Sequence, residues 1–108
     1  MISKADIKQL ARLSTKKGRN ENNLYLVEGL RIIRSALRAQ APINRIFVTA
    51  KFEESVDYQL ISNRFNQILK PEIIDEKTMK QITQTVTPSG ILAVCSLPKV
   101  TELPSTIV

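Results

Sequence analysis

LYLVEGLR, residues 24–31, is the stretch that decides the fold. Its first four residues form a short apolar run that ends at an acidic residue and a glycine, a pattern typical of a buried strand feeding a helix. Leu30, Ile33 and Leu37 then recur at helical spacing. We therefore predict a strand–helix junction at which Gly29 permits a tight turn and the close approach of another molecule. The free N–H groups at the start of such a helix are a natural place for an anion.

The rest of the chain alternates in the same way. Ser3 and Asp6 form a capping box that begins a first helix. The basic segment at 16–20 is predicted to end this helix and to continue as a polar loop to Asn23. Further strands are predicted at 43–49, 72–74 and 91–95, further helices at 30–39, 56–65 and 76–84, and turns at 51–55 and 85–90. This order predicts an α/β fold, with helices on both faces of a mostly parallel or mixed sheet.

The 108 residues are enough for one domain. We assign residues 1–97 to that domain and 98–108, which lack periodicity and contain prolines, to a linker. No apolar run is long enough to span a membrane, and the N-terminal segment lacks an apolar stretch of the signal-peptide type. The single cysteine, Cys95, lies in an apolar run and is interpreted as a core residue in a reducing cytoplasm.

Positive charge is concentrated in the first third of the chain. Up to residue 38 there are nine basic and three acidic side chains, which accounts for the whole net charge of +6. The remaining seventy residues hold seven of each sign. Such a concentration favours a surface that binds a polyanion.

Two stripes carry most of this charge. On the first predicted helix, Lys4, Lys8, Arg12 and Lys16 share the side opposite the apolar residues. A solvated helix face explains that stripe equally well. On the second helix, the stripe at residues 31, 34 and 38 has no acidic residue three or four positions away. Because arginine presents a planar fork of donors suited to phosphate, we favour a ligand-facing surface there.

The chain offers no convincing catalytic constellation. It has no histidine, so Ser-His and Cys-His pairs are excluded. Its three glycines form neither a dinucleotide-binding nor a P-loop motif, and its paired acids are interpreted as helix-start residues rather than as a metal site. Glu28 could act as a general base, but its position favours a structural role.

The aromatic residues are assigned mainly to the core. These are Phe47, Phe52, Tyr58 and Phe65, and the helix at 56–65 is expected to turn Leu60, Ile61 and Phe65 inward. Tyr25, in the strand before the junction, is left open between core and ligand contact.

Four segments in register resemble one known module. They read KKGR at 16–19, YLVEGLR at 25–31, IFVT at 46–49 and TVTPSGILAV at 85–94. Together they resemble the N-terminal substrate-binding domain of SpoU-type (TrmH-like) RNA ribose 2′-O-methyltransferases. The resemblance implies a three-layer α/β/α sandwich with a mixed four-stranded sheet, similar to kink-turn-binding ribosomal proteins.

The resemblance also implies partners and a cofactor. It implies binding of structured ribosomal or transfer RNA at the strand–helix junction and at the loop before the last strand, which are here Glu28, Gly29, Arg31, Thr87, Pro88, Ser89 and Gly90. The charge distribution adds further candidate RNA-binding residues, namely Lys8, Arg12, Lys16, Lys17, Arg19, Arg34 and Arg38. The resemblance further implies a knotted C-terminal domain, absent from this chain, that binds S-adenosylmethionine, dimerises and transfers the methyl group. No cofactor, metal or catalytic residue is expected in the fragment itself, and no membrane partner.

Two other interpretations stay open at this stage. One is a stand-alone, ribosome-associated RNA-binding protein, which the gene sequence downstream of Val108 would distinguish from the methyltransferase. The other is a protein-interaction module whose basic helices meet an acidic partner.

Overall fold

A mixed four-stranded sheet forms the centre of the computed structural model, which describes residues 2–65 and 69–97. Its strands are β1 (Leu24–Glu28), β2 (Ile43–Val48), β3 (Glu72–Ile73) and β4 (Ile91–Ser96). The spatial order is β1-β4-β2-β3, with β4 antiparallel to both neighbours and β2 parallel to β3. The first three strands therefore end at the same edge of the sheet at which β4 begins.

Six α-helices are described around the sheet. They are α1 (Lys4–Ala11), α2 (Lys16–Asn22), α3 (Leu30–Arg38), α4 (Ala50–Glu53), α5 (Val56–Phe65) and α6 (Glu76–Thr83), with a 3-10 turn at Arg12–Ser14. The predicted order of strands and longer helices is confirmed.

Each face of the sheet carries its own apolar cluster. On one face, α3 and α5 contribute Ile33 and Ile61 to a cluster with residues of β1, β2 and β4. On the other face, α1, the 3-10 turn and α6 contribute Leu10, Leu13 and Met79. β4 supplies both clusters because its residues alternate between the faces. The expected three-layer sandwich is therefore confirmed.

Local sequence signals explain where the helices begin. Ser3 Oγ accepts a hydrogen bond from the Asp6 N–H at 3.0 Å, and the Asp6 carboxylate accepts the Ser3 N–H, which completes the predicted capping box. Asp75 caps α6 by accepting the Thr78 N–H at 2.7 Å. Both caps were predicted from the sequence.

The prediction of a loop at 16–23 is wrong. The first helix ends at Ala11, and a separate helix, α2, occupies Lys16–Asn22. Thr15 adopts an extended backbone, and its hydroxyl caps α2 by accepting the Gly18 N–H at 3.0 Å. Gly18 is buried against the 3-10 turn so closely that a Cβ there would lie 2.0 Å from a backbone oxygen. This packing stabilises a helix that contains one glycine and two asparagines, which are poor helix formers.

Two smaller expectations also differ from the structure. The predicted polar turn at 51–55 contains the one-turn helix α4, which Thr49 caps by accepting the Phe52 N–H at 3.2 Å. In α5, Ile61 is buried with 1% exposure as expected, whereas Leu60 faces solvent with 61% exposure. The prediction that Leu60 faces inward is therefore wrong.

An ion pair joins the two parallel strands. Arg45 of β2 donates two hydrogen bonds to the Glu72 carboxylate of β3, at 2.8 and 2.7 Å, and lies 3.8 Å from Asp6. Its guanidinium also lies 4.7 Å from the centre of the Phe47 ring. These bonds raise the pKa of Arg45 and hold the pKa of Glu72 below its ordinary value. Arg45 therefore stabilises the fold away from the junction.

Tyr25 and Cys95 belong to the sheet rather than to an open site. Tyr25 packs against the cluster under α3, and Cys95 is buried there as predicted. Burial raises the pKa of Tyr25, and the adjacent Cys95 thiol raises it further; burial also raises the pKa of Cys95. Of the two roles left open for Tyr25, core residue or ligand contact, its packing therefore fits the core residue.

Some predictions fall outside the described residues. They are the linker at 98–108 and the side chain of Phe65. Among the residues that are described, no helix has the length and apolar character needed to cross a bilayer.

Candidate nucleic-acid interface

The sheet topology brings two distant predicted segments together. We call Glu28 and Gly29 the Gly29 turn, and Thr87 to Gly90 the 87–90 loop. The turn follows the end of β1, and the loop precedes the start of the neighbouring β4. The Gly29 N–H donates to the carbonyl of Ile91 at 3.2 Å, so the two segments lie side by side.

A side-chain contact joins them as well. The Glu28 carboxylate accepts the Ser89 N–H at 3.0 Å, and the Ser89 hydroxyl lies 3.5 Å from the same oxygen. The Ser89 hydroxyl also lies 3.2 Å from the carbonyl of Ile91. Among the predicted site residues, Glu28, Gly29 and Ser89 are thus brought into one group.

Gly29 is required by its backbone conformation. Its φ of 103° and ψ of 144° lie in a region open essentially to glycine alone. A Cβ added there would meet nothing within 4 Å. The requirement is therefore conformational, and the space beside the turn is open; the close approach of another molecule there stays a prediction.

The 87–90 loop borders a recess at the end of β2. The recess has a volume of about 340 Å³ and is lined by the loop and by Thr49, Lys51, Phe52, Ser55 and Glu76. The Thr49 N–H donates to the carbonyl of Gly90 at 3.0 Å, which ties the loop to the start of α4. Thr87 and Ser89 are exposed, whereas Gly90 is buried.

The arginine stripe on α3 forms a groove directly after the Gly29 turn. We call it the arginine groove, and it is lined by Leu30, Arg31, Arg34, Ser35 and Arg38 around a volume of about 500 Å³. The three guanidinium groups are exposed, and within residues 2–65 and 69–97 none of them forms an ion pair. Ile33 on the opposite side of the helix is fully buried. The predicted stripe is confirmed as an exposed cationic surface.

The basic residues of the first predicted helix do not form one stripe. Because α1 ends at Ala11, Lys16 lies on α2, separated from Lys4 and Lys8. Lys4 and Lys8 instead line a groove between α1 and α6, together with Lys77. That groove lies on the face of the sheet opposite α3.

The remaining N-terminal cations already have partners. The Arg12 guanidinium lies 3.1 Å from the Glu21 carboxylate, and Lys17 lies 4.0 Å from it. Arg19 donates to the carbonyl of Leu13 at 3.1 Å and lines a small recess that Glu28 also lines. Arg19 thus lies near the Gly29 turn, whereas Arg12 and Lys17 are held at Glu21.

Sequence reasoning missed the recess residues Lys51 and Phe52. Both lie on α4, which the sequence had assigned to a polar turn. The signal that could have found them was Thr49, a good N-cap residue directly after a strand.

Comparison with known proteins gives a consistent result. Residues 4–93 match the family model described as the MRM3-like substrate binding domain. The chain is 28% identical over 93 residues to the 23S rRNA (guanosine(2553)-2′-O)-methyltransferase RlmP of Bacillus subtilis (strain 168), a match covering 86% of this chain and 35% of the relative.

Solved structures share the fold. An RNA 2′-O ribose methyltransferase superposes with a TM-score of 0.72 at 25% identity, covering 94% of this chain and 38% of that chain. The AdoMet-bound rRNA methyltransferase from Sinorhizobium meliloti superposes with a TM-score of 0.68 at 18% identity, covering 91% and 36%. The chain therefore spans about a third of the length of these relatives.

Proposed function

The chain belongs to the family of MRM3-like substrate-binding domains, and from this premise we propose that it holds a structured RNA for ribose 2′-O-methylation by a separate catalytic domain. The relative RlmP is a 23S rRNA 2′-O-methyltransferase, which makes ribosomal RNA the first substrate class to test.

The observation that carries the proposal is the arginine groove. Three exposed guanidinium groups with no partner in the described part of the chain follow the Gly29 turn on one helix. Each guanidinium offers donors in a fork that matches phosphate oxygens. A groove of this kind binds a sugar–phosphate backbone mainly through charge, while loops and RNA shape supply the choice of site.

The 87–90 loop and the N-terminal cations complete the proposed surface. Thr87, Pro88 and Ser89 would meet the RNA beside the Gly29 turn, whereas Gly90 is buried and would shape the loop rather than contact RNA. Lys16 and Arg19 would add charge contacts, and Arg12 and Lys17 would contribute less because Glu21 already partly neutralises them. Lys8 lines the α1–α6 groove on the opposite face of the sheet and would meet only an RNA that extends around the domain.

The methyl donor is assigned to the catalytic domain. We propose that S-adenosylmethionine binds there and that the full-length protein forms a homodimer through that domain in the cytoplasm. The three glycines of this chain are used otherwise: Gly18 in close packing, Gly29 in the turn and Gly90 beside Phe52. They leave no glycine-rich loop to bind the cofactor.

Titration of fluorescently labelled rRNA fragments tests the proposal. The double variant Arg31→Glu/Arg34→Glu should weaken binding at least about tenfold, because it replaces two phosphate contacts by repulsion. A matched control is Lys70→Glu/Lys80→Glu, which changes the net charge equally on exposed residues that do not line the groove.

The comparison of the two variants is decisive. Equal weakening by both would mean that only net charge matters. Unchanged binding by the arginine variant, with its fold intact by circular dichroism, would reject the arginine groove as the RNA surface.

A further inference from the structure

We propose that Glu28 is a positioning residue: its carboxylate fixes the 87–90 loop against the Gly29 turn, so that both form one preorganised edge for RNA. This proposal rests on the proposed function. It differs from the expectation, implied by the resemblance, that Glu28 itself contacts RNA.

The geometry of the loop supports this role. One Glu28 oxygen accepts the Ser89 N–H at 3.0 Å and lies 3.5 Å from the Ser89 hydroxyl. On the other side, the carbonyl of Gly90 accepts the Thr49 N–H at 3.0 Å. The loop is therefore held from both flanking strands, and Glu28 provides the only side-chain anchor from β1 to it among the described residues.

The direction of the side chain supports positioning over direct contact. Along β1, Leu26 and Glu28 share one face of the sheet, since side chains alternate along a strand. Leu26 packs against the cluster under α1 and α6, and Glu28 lines a recess there with Leu26 and Arg19. The arginine groove belongs to α3, on the opposite face. The carboxylate thus points away from the main cationic surface.

Charge leads to the same assignment. A carboxylate repels a phosphate backbone, so direct contact between Glu28 and RNA would be unfavourable. A carboxylate that accepts a backbone N–H can instead order a loop without touching the ligand. Thr87 and Ser89 are exposed on that loop. Fixing their backbone before binding lowers the entropy lost when RNA binds.

Two substitutions at one position separate the roles. Glu28→Ala removes the acceptor and should weaken RNA binding about five- to tenfold through loss of preorganisation. Glu28→Gln keeps an acceptor oxygen and should restore binding to within about twofold of the wild type. Glu54→Ala, which removes an exposed carboxylate outside the site, is the control for net charge.

Two further measurements distinguish positioning from contact and from general destabilisation. Hydrogen exchange of the Ser89 amide in the free protein should accelerate in Glu28→Ala but not in Glu28→Gln, with an unchanged thermal midpoint. The slope of log K against log salt should stay the same in all three proteins, because no phosphate contact is lost.

The outcomes are distinct. If Glu28→Gln bound RNA as weakly as Glu28→Ala while the exchange rate of the Ser89 amide stayed unchanged, the carboxylate would contact RNA directly. That result would overturn the positioning role. Full affinity in Glu28→Ala would overturn it as well. A wild-type protein that binds no rRNA fragment would refute the proposed function and this proposal with it, whereas a failure confined to the Glu28 variants leaves the arginine groove standing.

Discussion

Removing the charge of the arginine groove should lower the salt dependence of RNA binding by a calculable amount. The variant Arg31→Gln/Arg34→Gln/Arg38→Gln keeps polar, though shorter, side chains and deletes three cations. Because these groups are exposed and form no ion pair among the described residues, each can neutralise one phosphate. The slope of log K against log salt should then fall in magnitude by about 0.7 to 0.9 per contact, or about 2.1 to 2.7 in total.

The assay is fluorescence anisotropy with one rRNA fragment at several salt concentrations. Between about 50 and 200 mM salt, the wild type should lose about 20- to 40-fold more affinity than the variant. The control Lys70→Gln/Lys80→Gln removes charge from exposed lysines that line neither the arginine groove nor the α1–α6 groove, and it should leave the slope nearly unchanged. If the arginine variant kept the wild-type slope, or if the lysine control lost as much, the groove would not be the surface that meets the phosphates.

Three further predictions concern the fold that supports the site. Gly18→Ala should lower the free energy of unfolding by about 2 kcal/mol in urea denaturation, since its Cβ would overlap the 3-10 turn; an unchanged midpoint would contradict the tight packing of α2. Ile61→Ala should cost about 3 kcal/mol in the same assay, whereas Leu60→Ala should cost less than about 0.5 kcal/mol because that side chain is exposed; equal costs would refute the orientation of α5. The pair of Glu72 and Arg45 should add roughly 1 kcal/mol or less, since both side chains are about a third exposed. The lowered pKa of Glu72 makes this stability present above the ordinary glutamate pKa and lost as pH falls through the folded value, so wild type and Glu72→Gln should converge in acid-series denaturation.

Elements with local signals could be predicted from the sequence. The capping residues Ser3 and Asp75 located two helix starts, and the apolar run at 91–95 located the central strand. The four motifs in register identified the domain family, which the match over residues 4–93 confirms. Each cap or apolar run lies in, or directly beside, the helix or strand that it specifies, so these elements could be located without knowing the tertiary structure.

Elements that depend on tertiary packing could not be predicted. The segment at 16–22 contains glycine and asparagine, which argue against a helix, and its packing against the preceding 3-10 turn, together with the Thr15 cap, stabilises one. Leu60 and Ile61 are adjacent apolar residues, and only the direction from which the sheet approaches decides which one is buried. The short helix α4 is a different case, because its start has a local signal, the N-cap residue Thr49, that the sequence interpretation overlooked.

In the candidate site, too, the local features could be predicted and the features that depend on tertiary structure could not. The number of basic residues in a segment therefore does not show which of them share a surface. The excess positive charge of the first third is divided among the α1–α6 groove, the α2 residue Lys16, the ion pairs at Glu21, the recess that Arg19 shares with Glu28, and the arginine groove. The contact between Glu28 and Ser89, sixty-one positions apart in the chain, exists only because β4 pairs with β1 in antiparallel register. A linear sequence contains neither the layer assignment nor this strand order. The cations that should decide RNA affinity are therefore those on α3, which lie closest along the chain to the Gly29 turn, and not the larger number that precede it.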